Sequence, residues 1–424
     1  MLAILFGMVL LYMGFLFTKY IPHFLITIYF LLPLFYSLTG LSRIPLATIF
    51  LLLFGPLVFI RASFLSMRMV VAIFLYIMLT IMICFLHGQS LWYYKAIFSQ
   101  ILLAMICYFS IGVKDSERSI RLFVYVIVIW ILINAIFSIL QFTLGESFYI
   151  ISDNRAIEVG GLKRGYGLIG MATQVGIAFS LGVPLLMVLA LTSTRHKMFM
   201  YMMLGIGLAG LILSFSRGAI LGTYIGIYFI LKYLKKRKLR LLYVIITVVL
   251  LVGYSGFMMF LPAKYITHFK GEDKSAMGRM TYVKMGLKMF KNKPLTGFGQ
   301  DGFTNNVVKY GAPGPIEAHN TYIQVLVDQG LLGFILFMMI VFSSLKGCLY
   351  YIKKGTSDII KNVSIGFLGS LIAILFDAIF HSFEWNIELW IAILMGFCVR
   401  FIAEKEKVNP SEVIMETGFL DNRA

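Results

Sequence analysis

Three residues that could act on a phosphorylated, hydroxyl-bearing substrate stand far apart in this chain: Arg217, Arg279 and His319. Arg217 lies in the turn Ser214-Phe215-Ser216-Arg217-Gly218 between two apolar runs. A planar guanidinium can bind phosphate oxygens in pairs, and Gly218 would let the backbone come close. The plainer alternative is an interfacial arginine that snorkels to lipid headgroups. His319 opens the run His319-Asn320-Thr321-Tyr322, at the start of an apolar helix that follows a long basic segment. Imidazole is a general base near neutral pH, and its plainer role here is a structural cap or hydrogen-bond partner.

Around these three the sequence places further polar groups. Asn320, Gln324 and Asp328 recur every four residues and give the helix one polar face, with Tyr322 as an interfacial aromatic. Asp328 falls roughly 10 Å inside that helix, where a carboxylate needs a partner or a cavity. Asp377, His381 and Glu384 make a second line at helical spacing, either an ordinary helix end or another wall of the same site, and Glu388 follows in the same short loop. Arg155, Lys163 and Arg164, in the loop before the seventh apolar run, could also reach a substrate.

The elements that must position these groups are apolar helices. The chain has 424 residues, 60% hydrophobic and 13% charged, with a mean hydropathy of +0.90. No soluble domain hides that much apolar surface, so the reading is an all-α polytopic integral membrane protein. Its runs fall at 1–17, 22–39, 45–60, 69–86, 96–113, 122–144, 166–191, 198–215, 219–234, 241–261, 321–343, 362–380 and 389–403. That makes about 12 (12–13) transmembrane helices. The N-terminal run lacks a basic flank and a cleavage site and reads as a retained span. Four cysteines (Cys84, Cys107, Cys348, Cys398) form no CxxC pair and suggest neither disulfides nor zinc. The net charge of +18 suits anionic headgroups or an anionic substrate; spread over loops on both sides, it does not suit nucleic acid.

Short basic loops set the orientation. The stretches 114–118, 195–197, 235–240 and 346–361 fall on alternate connections, so all lie on one side, the cytoplasm. The other side carries the loop 145–165, the Ser-Arg-Gly turn and the segment 262–320, with eight lysines and Arg279 against Glu272, Asp273, Asp301 and Glu317. It is either a solvated basic loop or a cationic cradle for a diphosphate. Met280, Val283, Leu287 and Phe290 recur at helical spacing, with Lys284, Lys288 and Lys291 to another side, which predicts a surface helix on the outer leaflet. Arg279 falls beside the apolar stripe and should face a partner. Pro294 to Gly299 and Ala312 to Pro315 break the chain before His319. The expected division is therefore N-terminal spans 1–144, central spans 145–261, one large extracytoplasmic loop 262–320 with short amphipathic helices, C-terminal spans 321–403 and a cytoplasmic tail 404–424. There is no GxxxxGK[ST] loop, no HExxH and no Asp-x-Asp pair, which argues against nucleotide hydrolysis, a zinc hydrolase and a nucleotide-sugar donor.

The second half, about 165–400, resembles the O-antigen ligase and O-antigen polymerase superfamily of bacterial membrane glycosyltransferases. Three stretches carry the resemblance: Ser214 to Ala219; Gly278-Arg279-Met280 with Pro294-Leu295-Thr296-Gly297-Phe298-Gly299; and His319-Asn320-Thr321-Tyr322 through Gly330-Leu331-Leu332-Gly333. The resemblance implies glycan transfer from an undecaprenyl-diphosphate-linked oligosaccharide on the extracytoplasmic face of the inner membrane, with no metal and no cofactor. It implies donor contacts from Arg217 and Arg279 and an essential role for His319, as base or as positioning group. The expected substrate contacts are Arg164, Lys284, Asn320, Tyr322, Gln324, His381 and Glu384. Expected partners are membrane lipids, a flippase and a chain-length regulator. A polymerase joining repeat units and a ligase acting on a lipid A core share the donor and differ in acceptor. The Lys-, Ile- and Phe-rich composition hints at a low-GC, Gram-positive source without such a core, which leans toward the polymerase. A lipid-linked-glycan transporter and a non-catalytic assembly partner are the rival classes.

Overall fold

A computed structural model describes residues 67–88, 116–145, 158–159, 162–169, 172–241, 243–244, 263–384 and 386–408. The apolar runs 1–17, 22–39, 45–60, 96–113 and nearly all of 241–261 lie outside the described residues, as does Arg155. The regular structure among the described residues is helical apart from a small hairpin, β1 (Glu158–Val159) against β2 (Leu162–Lys163), which pairs Glu158 with Lys163. The helices are α1 (Met67–Leu86), α2 (Ser116–Leu144), α3 (Ala172–Thr192), α4 (Lys197–Leu213), α5 (Arg217–Tyr233), α6 (Ala263–Asn292), α7 (Gly302–Asn306), α8 (Thr321–Lys354), α9 (Asp358–Asp377) and α10 (Ile387–Val408). Four of them, in α2, α3, α8 and α9, are long and apolar enough to cross a membrane.

Helix α9 is the central post. Gly218, Gly222 and Gly226 put a side-chain-free stripe on α5, and a Cβ at Gly222 or Gly226 would collide with the carbonyls of Ala373 or Gly369. Small residues let two helix backbones touch where no apolar driving force separates protein from lipid. On its other side α9 meets α3, where Ser370 Oγ donates to the Leu181 carbonyl at 2.5 Å. Helix α10 closes on α8 through Ser344, whose hydroxyl donates to Ile393 O at 2.6 Å. Helix α1 joins them by packing Tyr76 against Phe337 and Trp390.

Two helices differ from the sequence reading. The basic stretch 346–361 is mostly helix, because α8 continues to Lys354 and only Gly355 to Ser357 connect it to α9. Lys353 and Lys354 complement the negative C-terminal end of the helix dipole there, so charge extends α8 where it had marked a loop. The loop helix α6 is 30 residues long, not short. Its buried stripe contains Gly286 and Met289, flanked by Tyr282 and Met285. Met280 and Leu287, on the apolar stripe that the sequence assigns to a helix on the outer leaflet, are exposed. Gly286 decides the register, since Ile323 of α8 fills the space a side chain would take.

Helix α8 is broken at Gly330, whose backbone (φ 67, ψ −169) is not helical. In a regular helix the amides of Leu331 and Leu332 would donate to the carbonyls of Val327 and Asp328. Here they donate to Pro294 O (2.8 Å) and Leu295 O (3.4 Å), while Val327 O and Asp328 O accept from Phe298 N and Gly299 N, both at 2.9 Å. The Pro294–Gly299 strap is thus threaded into the hydrogen-bond ladder, which gives these four groups new partners. His87 at the end of α1 meets the strap at Gly297 O, 3.0 Å away. Below the break, residues 331–354 still span about 36 Å, enough for a bilayer. A Cβ at position 330 would strike the Leu295 carbonyl. Gly330→Ala is therefore expected to destabilise the protein by at least about 1–3 kcal/mol, read as an earlier melting transition in detergent.

Around the strap the loop builds its own small core from Met289, Phe303, Val307, Ala312, Ala318 and Val327. The segment 278–320 is thus a folded cap seated on the first half of α8, which fixes where Arg279 and His319 point.

Candidate functional site

Arg217 is placed by a turn that side chains hold shut. At the end of α4, Ser214 Oγ donates to Leu211 O (2.6 Å) and accepts from Ser216 N (3.2 Å). Phe215 then takes a left-handed conformation (φ 49), Ser216 is extended as the N-cap, and Arg217 begins α5, exposed. The preceding loop braces the turn: Gly165 N donates to Leu213 O at 2.9 Å, and Arg164 Nη2 to Phe215 O at 2.8 Å. Burial holds Arg164 below the usual guanidinium range, and the nearby Arg217 charge adds to this while Tyr166 opposes it.

Arg279 reaches the same place from α6. It is half-buried, and burial lowers its pKa first, then Arg217, with Asp377 acting the other way. Asp377 ends α9, fully buried, its Oδ1 lying against Gly218 and 2.8 Å from His381 Nδ1. Its Oδ2 is buried without a hydrogen-bond partner among the described residues. Three guanidiniums therefore share one neighbourhood, at the positive N-terminal end of the α5 dipole. Asp377 is the carboxylate that Arg279 feels. Such an excess of fixed cations favours an anion.

His319 stands beside this group. It too is left-handed (φ 48), a conformation His tolerates better than most residues. Asn320 is then extended and caps α8, its Oδ1 accepting from Ile323 N at 3.0 Å. The ring lies 6.2 Å from that of Tyr282 on α6. Burial, then Arg279, then His381 lower the His319 pKa from its usual 6.5. It is thus neutral at pH 7 and able to accept a proton. Activity that depends on a neutral His319 should hold as pH falls and decline only below about 6.5. Because Arg279 is one cause of the shift, Arg279→Gln should move that acid limb upward in a pH–rate profile of whatever activity remains.

The sequence-derived residues do not all converge. Arg217, Arg279, His319, Arg164 and His381 do. Lys284 is exposed on α6 and, among the described residues, makes no hydrogen bond or ion pair with them. The polar atoms of three others are engaged in architecture. Asn320 Nδ2 donates to Ile379 O (3.0 Å), Tyr322 OH donates to Leu375 O (2.7 Å), and Gln324 bridges Ala318 N (3.1 Å) and Asp328 Oδ2 (2.8 Å). Asp328 also accepts from Phe303 N at 2.8 Å, so the buried carboxylate is paired. Glu384 turns from the arginines into a second, acidic group. Burial first, then Asp328, push its carboxyl well above the usual range. Asp377 was legible only as the residue four before His381; nothing in the sequence showed that it would sit on Gly218.

The arginines, His319, Asp377 and His381 all lie at one end of the helix bundle, formed by the starts of α5 and α8 and the end of α9. The basic connections lie at the other. Residues 202–338 match a family model described as O-antigen ligase, which supports the resemblance of this part of the chain to the O-antigen ligase and polymerase superfamily. The matched stretch contains Arg217, Arg279, His319, the strap and the Gly330 break, and stops before Asp377 and His381. No curated protein matches the chain. The candidate membrane spans and the matched stretch together give a membrane protein that is similar, over that stretch, to O-antigen ligases.

Proposed function

We propose that the chain transfers a glycan from a polyprenyl-diphosphate carrier to a hydroxyl acceptor at the extracytoplasmic face of the inner membrane, and that the acceptor is another carrier-linked glycan, making it a polymerase. The observation that carries this is the convergence of Arg217, Arg279 and Arg164 beside a half-buried His319 whose pKa is held down. The arginines offset the charge that grows on the departing diphosphate. His319 accepts the proton of the acceptor hydroxyl as its oxygen attacks the anomeric carbon and the bond to the diphosphate breaks. A single displacement of this kind inverts the anomeric configuration. His319 acting only to position the acceptor predicts the same stereochemistry.

The description of the matched family favours a second acceptor, a lipid core or another envelope glycan, and the donor chemistry is identical. A transporter draws support from the broken α8 and the buried Asp328. Against it, backbone groups at the break pair with the Pro294–Gly299 strap, whereas the discontinuous helices of transporters turn theirs toward substrate or ions. The test is the product pattern: purified protein is given the lipid-linked oligosaccharide alone, then with a lipid core. A ladder of lengthened glycans without added acceptor supports the polymerase. One-step transfer only on adding the core assigns the ligase.

A further inference from the structure

At the end of the bundle opposite the arginines, a cavity of about 230 Å³ opens between α2, α3, α4 and the first turn of α9. Val124, Val188 and Val363 are buried in its wall, while Arg121, Ser193 and Asn362 stand at its more exposed rim. The volume is below the roughly 300–1,000 Å³ of sites that enclose a whole small ligand, so it suits one end of a longer amphiphile. Its surroundings are cationic. Arg195 and Lys197 follow Ser193 and are exposed, and Lys361 precedes Asn362; with Arg121 these four cations outnumber Glu117 and Asp358, the acidic residues at the same helix starts. Glu117 Oε1 takes one donor of Arg121 at 2.5 Å, and Glu117 is itself held by Ser357 Oγ at 3.0 Å. A guanidinium has five N–H donors, so this contact anchors Arg121 at the rim and leaves donors for a phosphate.

The geometry points to a site for an anionic phospholipid, with one acyl chain against Val124, Val188 and Val363 and its phosphate beside Arg121. Apolar depth with a basic rim is how helix bundles hold acidic headgroups on this side of a membrane. This site is independent of the glycan-transfer reading, and it gives a reason for Arg121 to stand one turn inside α2.

The test uses the full chain purified in detergent and compares phosphatidylglycerol with phosphatidylcholine of the same acyl chains, by native mass spectrometry and thermal shift. Phosphatidylglycerol is expected to bind and raise the melting temperature, and phosphatidylcholine is not. Arg121→Gln should weaken phosphatidylglycerol about fivefold, the share of one cation near a membrane surface. Leu189→Trp, which fills the cavity from its half-buried wall, should remove the bound lipid. Equal binding of both lipids, or phosphatidylglycerol binding unchanged in Arg121→Gln, would overturn the site. Arg121 is exposed, so that variant should fold and can carry the test alone if Leu189→Trp does not.

Discussion

His319→Ala is expected to lower glycan transfer by about 10²–10⁴-fold, the usual share of a general base, with little change in expression or melting temperature. The stability expectation comes from the backbone: His319 is left-handed and half-buried, and among the described residues no side-chain hydrogen bond ties it to the cap. His319→Gly should fold at least as well, since glycine accepts this conformation freely, and should be equally inactive. Two outcomes separate the roles of the imidazole. A base leaves a pH–rate profile whose acid limb disappears in the variant. A positioning group leaves the limb in place and raises KM for the acceptor more than it lowers kcat.

Arg217→Ala and Arg279→Ala are each expected to cost about 10²–10³-fold, the loss of one preorganised charge at the leaving group. The two should be far from additive, because both stand in the same cluster and each changes the field at the other. Their Lys variants discriminate further. Lysine keeps the charge but not the planar fork, so Arg217→Lys should recover only part of the rate if diphosphate oxygens are bound in pairs. Arg164→Ala should act differently. Its guanidinium holds the Phe215 carbonyl, so its removal should loosen the turn that presents Arg217 and weaken donor binding.

The parts of this architecture legible in the sequence are those written in side-chain chemistry. Apolar runs gave most of the described helices to within a few residues, although α2 begins at Ser116 and α8 runs on to Lys354. Pro294 and Pro313 marked real interruptions in the cap. Arg217, Arg279 and His319 could be singled out because a charged or titratable group at a membrane boundary needs a reason. What was not legible is written in the backbone. The exchange of hydrogen bonds between the Pro294–Gly299 strap and the broken α8 uses amides and carbonyls, which every residue carries, and only Gly330 and Gly297 hint at it. Two apolar stripes lie side by side on α6, and periodicity showed only the one at Met280 and Leu287. The other is seated by the tight fit of Gly286 on Ile323, which leaves no signal in apolar spacing. Asn320, Tyr322 and Gln324 looked like a substrate face, yet Asn320 and Tyr322 bind backbone carbonyls of the segment α8 must meet, and Gln324 ties Ala318 N to the Asp328 carboxylate.

The most direct test of the central claim is a reconstitution with undecaprenyl-diphosphate oligosaccharide as the sole donor, in EDTA and without nucleotide, comparing wild type with His319→Ala and Arg279→Ala. Glycan transfer with release of undecaprenyl diphosphate, present in wild type and lost in both variants, is the predicted result. Transfer that survives unchanged in both variants at normal protein levels would contradict it, and the arginine–histidine cluster would then be architecture around a site elsewhere in the chain.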